Sequence, residues 1–195
     1  MARQEKLDAL KREMARASLP LKSTATNIVF GEGDPHAKLF FIGEAPGKNE
    51  DIHGLPFVGS AGRHLDALFD SVGLRRGQIY LTSILKYRPP RNRPPNREEI
   101  KTHTPFLVRQ IEIVDPKFII PLGNFATKFV LSGFDVANMV KIGGISTLHG
   151  KVKIVQLRKK DIFVFPLYHP AALLYNMLLK KSMFHDFKKL STICP

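Results

Sequence analysis

The chain is short of cysteine, short of acids and free of long apolar runs, and each shortage excludes something. Its one cysteine, Cys194, has no partner for an intrachain disulfide and cannot supply a four-thiolate zinc site or a cysteine-ligated iron-sulfur cluster. Packing alone is therefore expected to hold the framework, with no metal and no cofactor. No apolar run approaches the length of a membrane span, and the charged segment Met1 to Leu10 lacks the apolar centre of a signal peptide. The expectation is a cytoplasmic protein with no membrane contact, associated with the nucleoid if the source is prokaryotic. Acids number 17 against 30 lysines and arginines, a net charge of +13. A domain that basic usually meets a polyanion, so nucleic acid is the first partner to test.

At 195 residues the chain is long enough to bury a sizeable core, and with no repeat or linker-like boundary it reads as one domain, residues 1–195. Leu7, Leu10 and Met14 recur at helical spacing before Pro20, which predicts an amphipathic helix over residues 3–15. Four short apolar runs, Lys38 to Gly43, Gln78 to Lys86, Lys117 to Gly123 and Ile162 to Tyr168, read as buried strands. Between them, residues 61–72, 97–114 and 125–131 have helical periodicity, with Asn96 as a cap before Glu98 and Glu99. The glycine-rich stretch 143–156 is expected to add a hairpin at one edge, and residues 171–179 and 183–190 two closing helices. Strands alternating with helices predict an α/β fold with a mostly parallel sheet covered on both faces.

In such folds ligands bind outside the carboxyl ends of the strands, and three of the four runs end in unusual chemistry. The first opens into Gly43-Glu44-Ala45-Pro46-Gly47, followed by Glu50, Asp51 and Phe57. The glycines let backbone N–H groups approach a flat or anionic ligand, and Pro46 stiffens the loop. The lysine and hydroxyl residue of a phosphate-binding P-loop are missing. Three acids, Glu44, Glu50 and Asp51, in so basic a chain point to acid chemistry or to the ordering of a water. Phe57 fits either an ordinary core position or a platform on which a base stacks. His169 directly follows a strand and precedes a proline, which places a potential hydrogen-bond donor where charge could build on a leaving group. The second run passes through Ser83 and Lys86 into a proline-stiffened loop, where Lys86, Arg88, Arg91, Arg93 and Arg97 form a cationic comb suited to phosphates.

Taken together, Gly43 to Gly47, Glu50-Asp51, Gly54 to Gly59 and Ala61-Gly62 resemble the first motif of the family 4 uracil-DNA glycosylases. Residues 26–33, 81–90, 109–123 and 169–176 resemble that family's remaining blocks in order, so the resemblance spans nearly the whole chain. It implies an α/β/α sandwich around a central four-stranded, mostly parallel sheet, a DNA groove across the strand ends, and removal of uracil from DNA. By motif position it implies that Gly43, Ala45, Pro46 and Gly47 hold uracil and water, with Glu50 and Asp51 beside them, that Phe57 stacks on the base and that His169 contacts uracil O2. Two departures stand out. The family's cluster-binding cysteines fall at Arg16, Leu19, Tyr87 and His103 here, so no cluster can form. Ser83 stands where the family has an asparagine that reads the pyrimidine edge, and a hydroxyl that rotates reads that edge less strictly.

The mechanism expected from this reading begins with flipping the nucleotide out of the stack. Lys86, Arg88, Arg91 and Arg93 hold the DNA backbone, Leu173 or Leu174 wedges into the gap, His169 stabilises the departing base, and Glu44 or Glu50 orders the attacking water. The expected partner is uracil-containing DNA, single- or double-stranded, met by a monomer. The alternatives are a glycosylase for another deaminated base, hypoxanthine or xanthine, and a DNA-binding relative without catalysis.

Overall fold

The computed structural model of the protein describes residues 2–193; Cys194 lies outside them. Six strands form one sheet: β1 (Glu32–Gly33), β2 (Leu39–Gly43), β3 (Tyr80–Ser83), β4 (Phe118–Pro121), β5 (Lys153–Leu157) and β6 (Lys160–Val164), in the order β1-β3-β2-β4-β6-β5. The central four, β3, β2, β4 and β6, are parallel, and β1 and β5 pair antiparallel at the two edges. The expected four-stranded parallel core is therefore present; a hairpin does lie at one edge, but it is the β5–β6 pair, which takes only residues 153–156 of the expected stretch 143–156, where Ile145–Leu148 is helical instead.

Side chains alternating along each strand feed two cores. Phe40 and Ile42 of β2 face α1 (Arg3–Arg16), α4 (Arg97–Val114) and α5 (Gly123–Leu131), joined there by Leu7, Leu10, Met14, Leu107, Ile111 and Phe129. Leu39 and Phe41 face the other way, toward Leu65 and Phe69 of α3 (Ser60–Asp70) and Met183 and Phe187 of α7 (Leu179–Ile193). Burying one such side chain contributes about 1.5–3 kcal/mol, so both layers are held chiefly by apolar area. The result is the α/β/α sandwich that the runs predict. No helix among the described residues is long and apolar enough to cross a membrane.

The helix over 97–114 begins where its capping residues place it: Asn96 Oδ1 accepts the Glu99 N–H at 2.9 Å, and Glu99 Oε2 accepts the Asn96 N–H at 2.9 Å. Two expectations are corrected. The fourth run is strand only to Val164, with Leu167 adding one further parallel bridge to Leu122. Residues 171–179 do not form a helix; Pro170–Leu174 is a tight 3-10 turn, and α7 starts at Leu179. Two short helices went unpredicted, α2 (Lys48–His53) and α6 (Ile145–Leu148).

Candidate active site

The carboxyl ends of β2 and β3, the start of α2 and the turn after His169 enclose a cavity of about 510 Å³. Glu44, Ala45, Pro46, Gly47, Glu50, Phe57, Ser83 and His169 all line it, so eight residues singled out from three separate stretches of sequence meet in one place.

Phe57 is held there by an unusual backbone. Its φ is +54°, a left-handed conformation that costs a bulky residue on the order of 1 kcal/mol or more. Arg76 stabilises it by donating to the Pro56 and Phe57 carbonyls while pairing with Glu32 and Asp66. Gly62 packs directly on that segment, where a Cβ would stand 1.7 Å from the Phe57 carbonyl oxygen. Gly43 does not line the cavity; it seats the ring, since a Cβ there would fall 2.6 Å from Phe57 Cζ. That is the physical reason for glycine at the end of β2, and it replaces the expected contact of Gly43 with the base.

His169 stacks against Phe57 with ring centroids 5.7 Å apart. Its Nδ1 accepts the Ala171 N–H at 3.2 Å, which assigns the ring proton of the neutral imidazole to Nε2. Burial pushes its pKa down to about 4, with the Glu50 carboxylate partly opposing that shift. At neutral pH His169 is thus an uncharged donor.

The two candidate acids are in different situations. Glu50 Oε2 accepts the Gly47 N–H at 3.1 Å and Oε1 accepts the Gly59 N–H at 2.7 Å, so its carboxylate joins the residues that open α2 and α3. Both are helix N-termini, where a negative charge is favoured. The Glu44 carboxyl has no hydrogen-bond partner among the described residues, and burial raises its pKa above the ordinary 4.5. Glu44 is the acid left free to bind a water.

Several expected contacts lie elsewhere. Asp51 is buried outside the cavity, its Oδ1 accepting the N–H groups of Thr26 and Asn27 at 2.8 and 3.2 Å, so it ties a loop down and does not touch a ligand. Lys86 is fully buried and cannot meet DNA. Arg93 reaches the cavity rim but donates to both Glu99 oxygens at 2.9 and 2.5 Å, which makes it a brace for the loop. Arg88 is half-buried and bonds Asn92, while Arg91 is exposed and has no carboxylate partner among the described residues. Leu173 belongs to the core at 5% exposure, whereas Leu174 is 47% exposed at the cavity mouth. Tyr175, 89% exposed, stands next to it and was missed from sequence, as was Lys48 on the cavity wall. Lys48 opens α2, which is too short to be read from sequence, so its place in a first helical turn became visible only in the fold.

The positions that the resemblance matches to cluster ligands hold no thiolate. Arg16 is exposed, Leu19 packs against the core, and Tyr87 meets His103 edge-on at 5.9 Å. Both His103 nitrogens are occupied, Nδ1 by the Lys86 N–H at 3.1 Å and Nε2 by the Pro20 carbonyl at 3.2 Å. These residues do not fit an iron-sulfur cluster.

A sequence model of the Uracil DNA glycosylase superfamily matches residues 30–189. The chain belongs to that superfamily. It is 43% identical over 191 residues to a type-4 uracil-DNA glycosylase of Archaeoglobus fulgidus, covering 97% of this chain and 94% of the relative. Type-4 uracil-DNA glycosylases of Sulfurisphaera tokodaii and Thermotoga maritima are 45% and 38% identical, covering 85% and 87% of this chain and 74% and 84% of their own lengths. One pocket of this chain thus holds the Phe57 ring, the neutral His169 imidazole and the Glu44 carboxyl, which has no hydrogen-bond partner among the described residues.

Proposed function

We propose that this protein is a DNA-repair enzyme that flips uracil out of DNA and hydrolyses its N-glycosidic bond, leaving an abasic site. The observation that carries the reading is His169, held by the Ala171 N–H as a neutral donor beside Phe57 in a cavity at the strand ends. As the bond to the sugar breaks, negative charge builds on the base, and a donor fixed at uracil O2 stabilises it without reorganising. Phe57 stacks on the base, Ala45, Pro46 and Gly47 line its seat, Glu50 keeps that loop closed, and Glu44 orders the water. Leu174 and Tyr175 fill the gap in the stack. The enzyme acts as a monomer in the cytoplasm on uracil in either single- or double-stranded DNA.

Binding follows from the exposed arginines. Arg91→Ala is expected to weaken binding to every DNA sequence alike and to lower the salt slope, log affinity against log salt concentration, by about one. Fluorescence titrations over a salt series check this, and an unchanged slope would place the DNA away from this loop. Arg93→Ala should instead loosen the loop, because its charge is already neutralised by Glu99.

Ser83 supports a second reading, excision of another deaminated base. It is buried at the cavity wall, and its Oγ has no hydrogen-bond partner among the described residues, so it can turn to suit a donor or an acceptor. One assay decides among uracil, hypoxanthine and xanthine: oligonucleotides with a single modified base are incubated with the protein and heated in alkali to cut abasic sites. Cleavage at uracil is expected; binding without cleavage of any substrate would leave a non-catalytic DNA binder. In the same assay Ser83→Asn should raise uracil excision or sharpen the preference for uracil over cytosine and hypoxanthine. Slower uracil removal by a folded Ser83→Asn protein would mean that the pocket has been rebuilt around serine.

A further inference from the structure

Lys86 lies under the cavity floor, and the proposed mechanism does not use it. Its Nζ donates to Thr82 Oγ1 at 2.5 Å and to the Ser83 carbonyl at 2.7 Å, with the Phe30 ring centroid 6.0 Å away. No carboxylate pairs with it among the described residues. Burial without a counter-ion drives its pKa well below the ordinary 10.5. Two acceptors, the Thr82 hydroxyl and the Ser83 carbonyl, receive N–H donors of the amine.

The carbonyl that Lys86 grips belongs to the peptide joining Ser83 to Ile84. The N–H of that same peptide donates to the Gly43 carbonyl at 3.0 Å, and the next N–H, of Leu85, donates to the Glu44 carbonyl at 3.1 Å. A peptide is a rigid plane, so fixing its oxygen also fixes the direction of its N–H. Lys86 therefore holds one edge of the plane and Gly43 the other, and the plane joins the two walls of the cavity, the end of β3 and the loop that follows β2. Lys86 is itself anchored: its backbone N–H reaches His103, whose other ring nitrogen bonds Pro20.

We propose that Lys86 is a positioning residue, which through the Ser83–Ile84 peptide and its bond to the Gly43 carbonyl sets the spacing between the Ser83 side chain and the wall that begins at Glu44. The proposal rests on the reading of this cavity as the seat of the base. It is separate from any contact of Lys86 with DNA, which burial forbids.

The test uses Lys86→Met, which keeps the length and removes the donors, and Thr82→Val, which keeps the shape and removes one acceptor. The Phe30 carbonyl, which Thr82 also bonds, keeps a donor in Gln110 in the second variant. Four quantities are measured: single-turnover excision of uracil, the ratio of uracil to hypoxanthine excision, affinity for undamaged DNA, and amide exchange at Ile84 and Leu85. Lys86→Met is expected to slow excision on the order of 10-fold to 100-fold and to shift the base ratio, as misplacement of a reacting group does. Exchange at Ile84 should quicken relative to Phe41 in the same sheet, while DNA affinity stays within about twofold, since no phosphate contact is lost. Thr82→Val should move each quantity the same way by less. A folded Lys86→Met protein with unchanged rate, ratio and exchange overturns the proposal, and so does a loss of rate matched by an equal loss of DNA affinity. If Lys86→Met does not fold, unchanged behaviour of Thr82→Val overturns it. If the unaltered protein excises no base, the reading of the cavity fails, and exchange at Ile84 alone decides whether Lys86 holds the peptide.

Discussion

Replacing His169 with alanine should lower single-turnover uracil excision on the order of 10²-fold to 10³-fold, the usual consequence of removing one donor from a site of developing negative charge. The effect belongs to the chemical step, because the donor gains strength as charge moves onto the base and adds less while the base is neutral. Affinity for uracil-containing DNA should change far less than the rate. The donor is present across the neutral range, since burial keeps the imidazole uncharged down to about pH 4 and the Ala171 N–H leaves the proton on Nε2. His169→Gln, which retains an N–H donor without the ring, should recover part of the lost rate. If His169→Ala keeps its rate within about threefold, the main stabilisation of the leaving base comes from another group.

Features that depend on local chemistry were legible in the sequence. Apolar runs located the four parallel strands, and Asn96 with Glu99 located the start of α4. The glycine loop and His169 could be singled out because each follows an apolar run in a fold that binds ligands there, and Phe57 because the stretch opened by the glycine loop continues to it. Features that depend on distant partners were not legible. Lys86 sits in a run of arginines and reads as one more surface cation; its surroundings come from residues far along the chain, the Phe30 ring beside its Nζ and His103, which accepts its backbone N–H. Asp51 reads as a third active-site acid beside Glu50, yet it serves Thr26 and Asn27, more than twenty residues earlier. Leu173 and Leu174 are equivalent by composition, and only the turn begun at Pro170 points one into the core and the other out. Helix α2, at six residues, is too short to show a period.

The choice between Glu44 and Glu50 as the residue that orders water turns on the same distinction, and the structure separates them by hydrogen bonding. Both Glu50 oxygens already accept backbone N–H groups, so replacing Glu50 should disturb the loop and lower binding and rate together. Glu44 has a free carboxyl at the cavity wall. Glu44→Gln, nearly the same shape but unable to accept a proton, should slow the chemical step on the order of 10²-fold to 10⁴-fold with little loss of DNA affinity. A pH series distinguishes this from a simple packing defect. Water is oriented and activated by the ionised form, and burial has raised the Glu44 pKa, so activity should fall with acid at a pH above the ordinary glutamate value of 4.5. The sign follows from the shift: above the raised pKa Glu44 is charged and the rate is full; below it the carboxyl is protonated and the rate drops tenfold per pH unit. His169, with its pKa near 4, adds its own transition at lower pH. Glu44→Gln should therefore erase the upper limb and leave a slow, flat rate down to the region where His169 titrates. If the acid limb persists unchanged in Glu44→Gln, another group positions the water and Glu44 only shapes the wall.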